Sequence, residues 1–387
     1  MQCEYFDAGL CHSCSRMGEP YAQQLAMKDA RVRGVLSPLG AIPWDEPVAS
    51  PESGFRNKAK LVVGGTSTSP TLGILNAADR GVDLSRCGLY LPGITATIPR
   101  LAAFVSRAGL IPYDVPARRG ELKHLLLTET PDGEFLLRLI LRSQDQLPAA
   151  RAELPQLLAE VPGIEVVSAN LQPEHKAIIE GDDEVPLTER TTVPFRLGSV
   201  TLHLGPRAFF QTNTEIAAAL YLTARGWLDG VSGRIVDLYC GVGGFAMHLA
   251  APGRDVLGIE VSPEAVAAAR RSAGELRERA ASAGEPVGRV DFIAGDAADL
   301  GRAAGVVPTL GEMGAVVVNP PRRGIGAGLA THLERSDVPT VLYSSCNVES
   351  LARDLAHMPS LRPVRAQLFD MFPQTAHHEV MVLLRRD

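Results

Sequence analysis

The sequence is short of several things. Six cysteines in 387 residues are too few to staple a chain of this length. The opening residues, MQCEYFDAGL, hold neither a basic start nor the apolar run of a secretion signal. Together these exclude a disulfide scaffold and lead to the expectation of a reduced, cytoplasmic setting. No apolar run reaches membrane-spanning length, so no membrane association is expected. A basic excess is missing too: 38 basic against 44 acidic residues give a formal net charge of −6. That weighs against a protein that coats long stretches of nucleic acid, but it leaves room for a local basic groove. Internal repeats and low-complexity tracts are also absent. What is present, 45% apolar and 21% charged residues, suits a globular chain of two or three domains.

Residues 1–90 start with a cysteine cluster and continue through SPLGAIPWDEPVASPESG, whose prolines and glycines read as loop. FRNKAKLVVGG then reads as a basic turn entering a strand. Residues 91–200 alternate short apolar runs with turns. LKHLLLTET, PDGE and FLLRLILRS form a strand–turn–strand unit, and ATIPRLAAFVSRAG is a helix. This middle section is expected to be an α+β domain.

From 201 to 387 the pattern changes to alternating strands and helices. RIVDLY, DVLGIEV, VDFIAGD, GAVVVNPP and TVLYSSC are buried strands. SPEAVAAARRSAGEL is a helix with Ser262 as its cap and Pro263 at its first position. Such alternation predicts an α/β, Rossmann-like domain with a parallel sheet. RPVRAQLFDMF and HHEVMVLLRR suggest an antiparallel pair closing that sheet.

Asp237-Leu-Tyr-Cys-Gly-Val-Gly-Gly-Phe245 follows a strand and opens a helix. Glycine, Gly241 first, lets the backbone approach a ligand there. Glu260 ends the next strand and can accept both hydroxyls of a ribose. The loop is not the G-x-G-x-x-G of a dinucleotide site. Asp237 suits a ligand bearing an ammonium group, such as the methionine part of S-adenosylmethionine (SAM). Asp296 stands where an adenine amino group could be held. A bare glycine turn with a surface acid is the bland alternative. Several strand ends in order, each carrying a polar residue, favour the ligand.

Cys346 ends the strand TVLYSS and precedes the helix NVESLARDLAHM. A helix N-terminus beside the sulfur is expected to lower the thiol's pKa and make it a nucleophile. A buried core cysteine is the commoner fate of a lone Cys, but the position after two serines at a strand end argues against it. Asn319-Pro-Pro-Arg322 ends the preceding strand. Glu379, in FPQTAHHEV, is a candidate base if it faces the same cleft. At the other end of the chain, Cys3, Cys11, Cys14 and Cys87 offer four thiolates, suited to either a zinc site or an iron–sulfur cluster. Cys240 reads as a packing residue. Arg56-Asn57-Lys58-Ala59-Lys60 is a candidate RNA contact or a solvated turn.

FFQTN, DLYCGVGGF, GIEVSPEAV, NPPRRG, YSSCN and DMFPQTAHHE, in this order over residues 209–379, resemble the RNA uracil-C5 methyltransferases. The resemblance implies a class I SAM-dependent methyltransferase domain, a cysteine nucleophile at Cys346 and a base at Glu379. It implies SAM contacts at Gln211, Tyr239, Glu260 and Asn319, and target-base contacts at Phe209 and Gln211. The N-terminal cysteines are similar to the family's ligands for a 4Fe–4S cluster. Asn319, where many members carry Asp, resembles the shorter 23S rRNA subgroup. Cys3 lies so near the start that the extra β-barrel of some members is not expected before it. Pro320 is followed by Pro321 rather than by the cysteine of RNA cytosine-C5 enzymes. The expectation is therefore a SAM-dependent 23S rRNA uracil-C5 methyltransferase, monomeric by default. Methylation of tRNA, exocyclic-amine methylation through Asn319-Pro-Pro, and a non-catalytic iron–sulfur RNA-binding protein are the alternatives.

Overall fold

The computed structural model describes residues 1–297 and 313–386. The chain runs through α1 (Glu4–Asp7), α2 (Tyr21–Leu36), β1 (Lys58–Thr66), β2 (Ser69–Leu75), β3 (Gly81–Asp83) and α3 (Pro92–Arg107). It continues through β4 (Leu122–Glu129), β5 (Phe135–Leu141), α4 (Leu147–Glu160), β6 (Ile164–Leu171), β7 (Asp183–Pro186), β8 (Val193–Leu197) and β9 (Val200–Leu204). Next are α5 (Thr214–Trp227), β10 (Arg234–Leu238), α6 (Gly244–Leu249), β11 (Val256–Glu260), α7 (Pro263–Ala283) and β12 (Val290–Ala294). β13 (Met313–Val318), α8 (Gly326–Arg335), β14 (Thr340–Ser345), α9 (Val348–Leu355), β15 (Leu361–Phe369) and β16 (Glu379–Arg386) follow.

Packing divides the chain into two units. The first comprises Met1–Gly18 and Pro51–Phe195. Its sheet runs β3-β2-β1-β4-β5-β6-β7, antiparallel except where β5 meets β6. Alternate residues of β1, β4 and β5, among them Leu61, Leu125, Leu127, Leu137 and Leu139, share a core with Ile98, Leu101 and Phe104 of α3 and Leu154 and Leu157 of α4. This is the period of two that a sheet with one helix-covered face requires. Arg138 falls out of phase and is buried, held by Glu180 at 2.7 Å and Glu184 at 2.6 Å.

The second unit comprises Glu19–Ser50 and Arg196–Asp387. Its sheet runs β12-β11-β10-β13-β14-β16-β15. The first five strands are parallel, and β16 is antiparallel to both its neighbours, the closing pair expected from the sequence. The helix after β11 is capped as expected, with Ser262 Oγ accepting from Ala265 N at 3.3 Å and Pro263 in its first turn. Val236, Leu238, Val316, Val318, Val341 and Tyr343 pack with Leu329, Leu333, Leu351 and Leu355 of α8 and α9.

These units do not coincide with the segments 1–90, 91–200 and 201–387. β1, β2 and β3 complete the same sheet as β4–β7, so no boundary falls near 90. Residues 19–50 pack with the C-terminal half instead. α2 buries Val32 and Leu36 in that unit's core. The proline-rich stretch read as loop is extended, and its backbone lies along β15: Val48 N donates to Leu368 O at 2.8 Å and Ala366 N donates to Pro43 O at 2.9 Å. An edge strand tolerates proline because only one side must donate. Among the described residues, no helix is long and apolar enough to cross a membrane.

Candidate active site

The strand order of the second unit reverses between β10 and β13, the place where ligands sit in open α/β sheets. The loop leaving β10 is bent to suit one. Tyr239 has φ +60°, a left-handed conformation unusual for a large side chain and found where a site imposes it. Gly243, at φ +90°, caps α6, and a Cβ there would lie 2.6 Å from the Phe292 ring. Cys240, also against Phe292's side of the sheet near Gly258, fills a packing position and is 8% exposed.

Asp237 is fully buried at the end of β10. Its Oδ2 accepts from Ala246 N at 2.9 Å, while Oδ1 has no hydrogen-bond partner among the described residues. Burial, with Glu260 adding to it, pushes this carboxyl up to about 8. An unpartnered buried carboxylate oxygen is expensive, and a cationic ligand would satisfy it. Glu260 spans the mouth of the loop: its carboxylate accepts from Gly241 N at 3.1 Å and Ser262 N at 3.0 Å. Asp296 is exposed beyond β12 and close enough to Tyr239 to raise the phenol's pKa. Asn319 is half-buried at the end of β13. All the residues expected at a SAM site except Gln211, which precedes α5, thus lie at the carboxyl ends of β10, β11, β12 and β13. An orphaned acid beside a glycine loop fits a ligand carrying an amino acid moiety and a ribose.

The second group lies across β14 and β16. Their ladder pairs Ser344 with Met381 and Ser345 with Val380. Cys346 directly follows Ser345 and Glu379 directly precedes Val380, so both lie at the same end of this strand pair, near enough for the Glu379 charge to act on the thiol. Glu379 is 2% exposed, and burial pushes its carboxyl up to about 7. Ser344 Oγ donates to its Oε1 at 2.6 Å. The segment before Glu379 is tied to α2, where Lys28 Nζ meets Asp370 Oδ1 at 2.6 Å and donates to Phe372 O at 3.0 Å.

Cys346 is half-buried, and here the structure corrects the sequence reading. Asn347 caps α9, its side chain accepting from Glu349 N at 3.1 Å. The thiol's pKa is raised rather than lowered. Burial and the Glu379 charge push it up to about 11, against the pull of Arg322 and a backbone N–H.

Phe209 and Gln211 lie between β9 and α5. Phe209 is 75% exposed and Gln211 is buried. Asn213 anchors this segment, capping α5 and donating to Ser50 Oγ at 2.8 Å. Ser344, Tyr221 and Asp354 were not anticipated. Tyr221 in α5 feels the charges of both Asp237 and Glu379. Asp354 in α9 accepts from Tyr343 Oη at 2.6 Å and from Ile325 N at 2.8 Å, bracing the turn after Asn319-Pro-Pro-Arg322. The only sequence signal for Ser344 is a hydroxyl directly beside Ser345 at the end of a strand that the structure buries along its length.

In the first unit, Cys3, Cys11, Cys14 and Cys87 are free thiols. The segment 1–18 is fastened to residues 84–90: Arg86 N donates to Tyr5 Oη at 3.0 Å, and Arg86 pairs with Glu4 at 3.1 Å. Burial and then Cys87, Cys11 and Cys3 push Cys14 up to about 12, so the four sulfurs share one neighbourhood. Among the described residues, no group of three or more His, Cys, Asp or Glu is set to hold a single metal ion.

A doubly wound sheet with this closing strand pair, a glycine loop over an orphaned acid and acidic residues at successive strand ends defines a SAM-dependent methyltransferase. The sequence model of the family described as tRNA (Uracil-5-)-methyltransferase matches residues 199–387. The 23S rRNA (uracil(747)-C(5))-methyltransferase RlmC of Halothiobacillus neapolitanus is 48% identical over the whole of both chains. The protein of the same name from Serratia proteamaculans is 46% identical, again over the whole of both. The chain belongs to the RNA uracil-C5 methyltransferase family. The crystal structure of Pyrococcus abyssi tRNA (uracil-54, C5)-methyltransferase with S-adenosyl-L-homocysteine matches with a TM-score of 0.77 at 23% identity, covering 96% of this chain and 85% of that one. That likeness bears on the fold.

Proposed function

We propose that this protein transfers a methyl group from SAM to C5 of a uridine in 23S rRNA, the position corresponding to the uracil 747 named for its relatives. The observation that carries the reading is the proximity of Cys346 and Glu379 at one end of the β14-β16 pair, in the unit that also holds a loop suited to SAM. SAM would be held by Asp237, Gly241, Glu260, Asp296 and Asn319, with Gln211 and Tyr239 beside them, and when bound it supplies the methyl group and a positive sulfonium charge.

C5 of uracil is a poor nucleophile. Addition of the Cys346 thiolate to C6 places negative charge on C5 and O4, and C5 is then alkylated. Glu379 removes the C5 proton, and the electrons of that bond expel the Cys346 sulfur, restoring the ring double bond. A carboxyl pushed to about 7 is half-ionised near neutral pH, which suits a base that must take a proton from carbon and later release it. The ionised carboxylate opposes formation of the thiolate, and Arg322 offsets it. The target base has to leave its stack to reach the cleft, and the exposed ring of Phe209 is suited to receive it.

The thiols at Cys3, Cys11, Cys14 and Cys87 are proposed to hold a 4Fe–4S cluster. Four cysteines free of disulfides, with Cys14 coupled to the other three, supply the four thiolates such a cluster takes. The proposed reaction moves no electrons, so the cluster's contribution is structural. An rRNA substrate implies a cytoplasmic location. The test is to incubate the protein with unmodified 23S rRNA and methyl-labelled SAM, then map 5-methyluridine. Label at one uridine is expected; label on tRNA alone, or on an exocyclic amine, contradicts the reading.

A further inference from the structure

Two serines precede the proposed nucleophile, and they point to opposite faces of β14. Ser345 shapes the turn: its hydroxyl donates to Asn347 O at 2.9 Å and accepts from Asn347 N at 3.1 Å. Ser344 faces the other way, toward Cys346 and Glu379. It is fully buried in a strand buried along its whole length, where an apolar side chain would pack as well. Its hydroxyl has one recorded partner, Glu379 Oε1 at 2.6 Å.

We propose that Ser344 is a positioning residue that aims the Glu379 carboxylate at the proton on C5 of the target base and keeps it ionised. The inference rests on the reading of Glu379 as the base. A carboxylate buried this deeply is pushed toward its neutral form, which cannot accept a proton. Among the described residues no lysine or arginine forms an ion pair with Glu379, so nothing cationic restores it. The titratable groups coupled to it are Cys346 beyond the end of β14 and Tyr221 of α5, and each would add negative charge if ionised. The Ser344 hydroxyl is the one side-chain contact that favours the charged form. It also fixes one oxygen, leaving the other free for the substrate.

The test compares Ser344→Ala with the unaltered full-length protein on a 23S rRNA fragment across pH. A hydrogen bond to a charged group sets the scale, so the acid limb of kcat should move up by about one pH unit, a loss of roughly tenfold below the limb that recovers at high pH. KM for RNA and for SAM should change less than twofold. Covalent capture by a 5-fluorouridine RNA, which needs no proton removal from C5, should be no slower than in the unaltered protein, since a less ionised Glu379 opposes the Cys346 thiolate less. An unmoved pH profile overturns the proposal, as does a loss that is equal at every pH and accompanied by equally slow capture. Glu379→Gln separates the two ideas: if it turns over normally, Glu379 is not the base, whatever Ser344 does.

Discussion

Burial raises the thiol pKa of Cys14 and Cys87 in one unit and of Cys346 in the other, but the charges around them differ. Around Cys14 the opposing charges are other thiols, three of them, in a pocket with Met17, Phe55 and Leu89. Around Cys346 the opposing charge is a carboxylate across the strand ladder, with Arg322 pulling the other way. In the proposed function the first arrangement would release its protons to solvent as it takes up a cluster. The second would hold a single thiol whose ionisation is made and undone within each turnover. On that proposal the same element serves once as a permanent ligand and once as a reversible nucleophile.

The contrast can be broken most severely at Cys346. Replacement by serine should lower methyl transfer by more than ~10³-fold and abolish covalent capture of RNA, because a hydroxyl at this site has no adjacent base strong enough to ionise it. Folding should be unaffected in circular dichroism. Glu379→Gln comes next. Turnover should fall by on the order of 10³-fold, within the range of general-base losses. The covalent RNA adduct should accumulate, since its release needs proton removal from C5. The same change removes the charge that raises the Cys346 thiol, so the pH profile of Cys346 alkylation should shift downward.

Asp237 offers a test of smaller size. Its folded-state pKa is raised from 3.8 to about 8, so the folded chain keeps a proton that the unfolded chain has already lost. Stability therefore falls as pH rises through that window and stays low above it. Asp237→Asn cannot titrate. Its melting temperature should exceed that of the unaltered protein by at least ~2 °C at pH 9, with the gap closing toward pH 4. SAM affinity, read by calorimetry, should drop tenfold or more, because the ammonium loses its carboxylate. A stable variant with unchanged affinity would remove Asp237 from the site. The smallest effect is expected at the other thiol group. Cys87→Ser should lower iron content and the melting temperature while leaving SAM affinity within twofold, since the SAM residues belong to the other unit.

Much of the second unit was legible in the chain. The glycine loop, the cap at Ser262 and the strand ends are local features, and local rules placed them. The closing strand pair followed from two apolar runs on either side of a short turn. The role of residues 19–50 was not legible. Proline marks a stretch as irregular, yet Pro43 and its neighbours form an edge to β15, and no local pattern announces a partner more than 300 residues away. The thiol's pKa was misread for a similar reason. A helix start is visible in sequence, but the burial that raises the thiol, and the carboxylate that adds to it from the last strand, are not. Ser344 escaped because a hydroxyl in a buried strand gains meaning only once Glu379 faces it.

The central claim is that Cys346 forms a bond to the target base. Incubation with SAM and a 23S rRNA fragment carrying 5-fluorouridine, followed by digestion and mass spectrometry, reads it directly. The account predicts a peptide containing Cys346 that carries a methylated 5-fluorouridine nucleotide. An adduct on another cysteine, or methylated RNA released with no adduct, would contradict it.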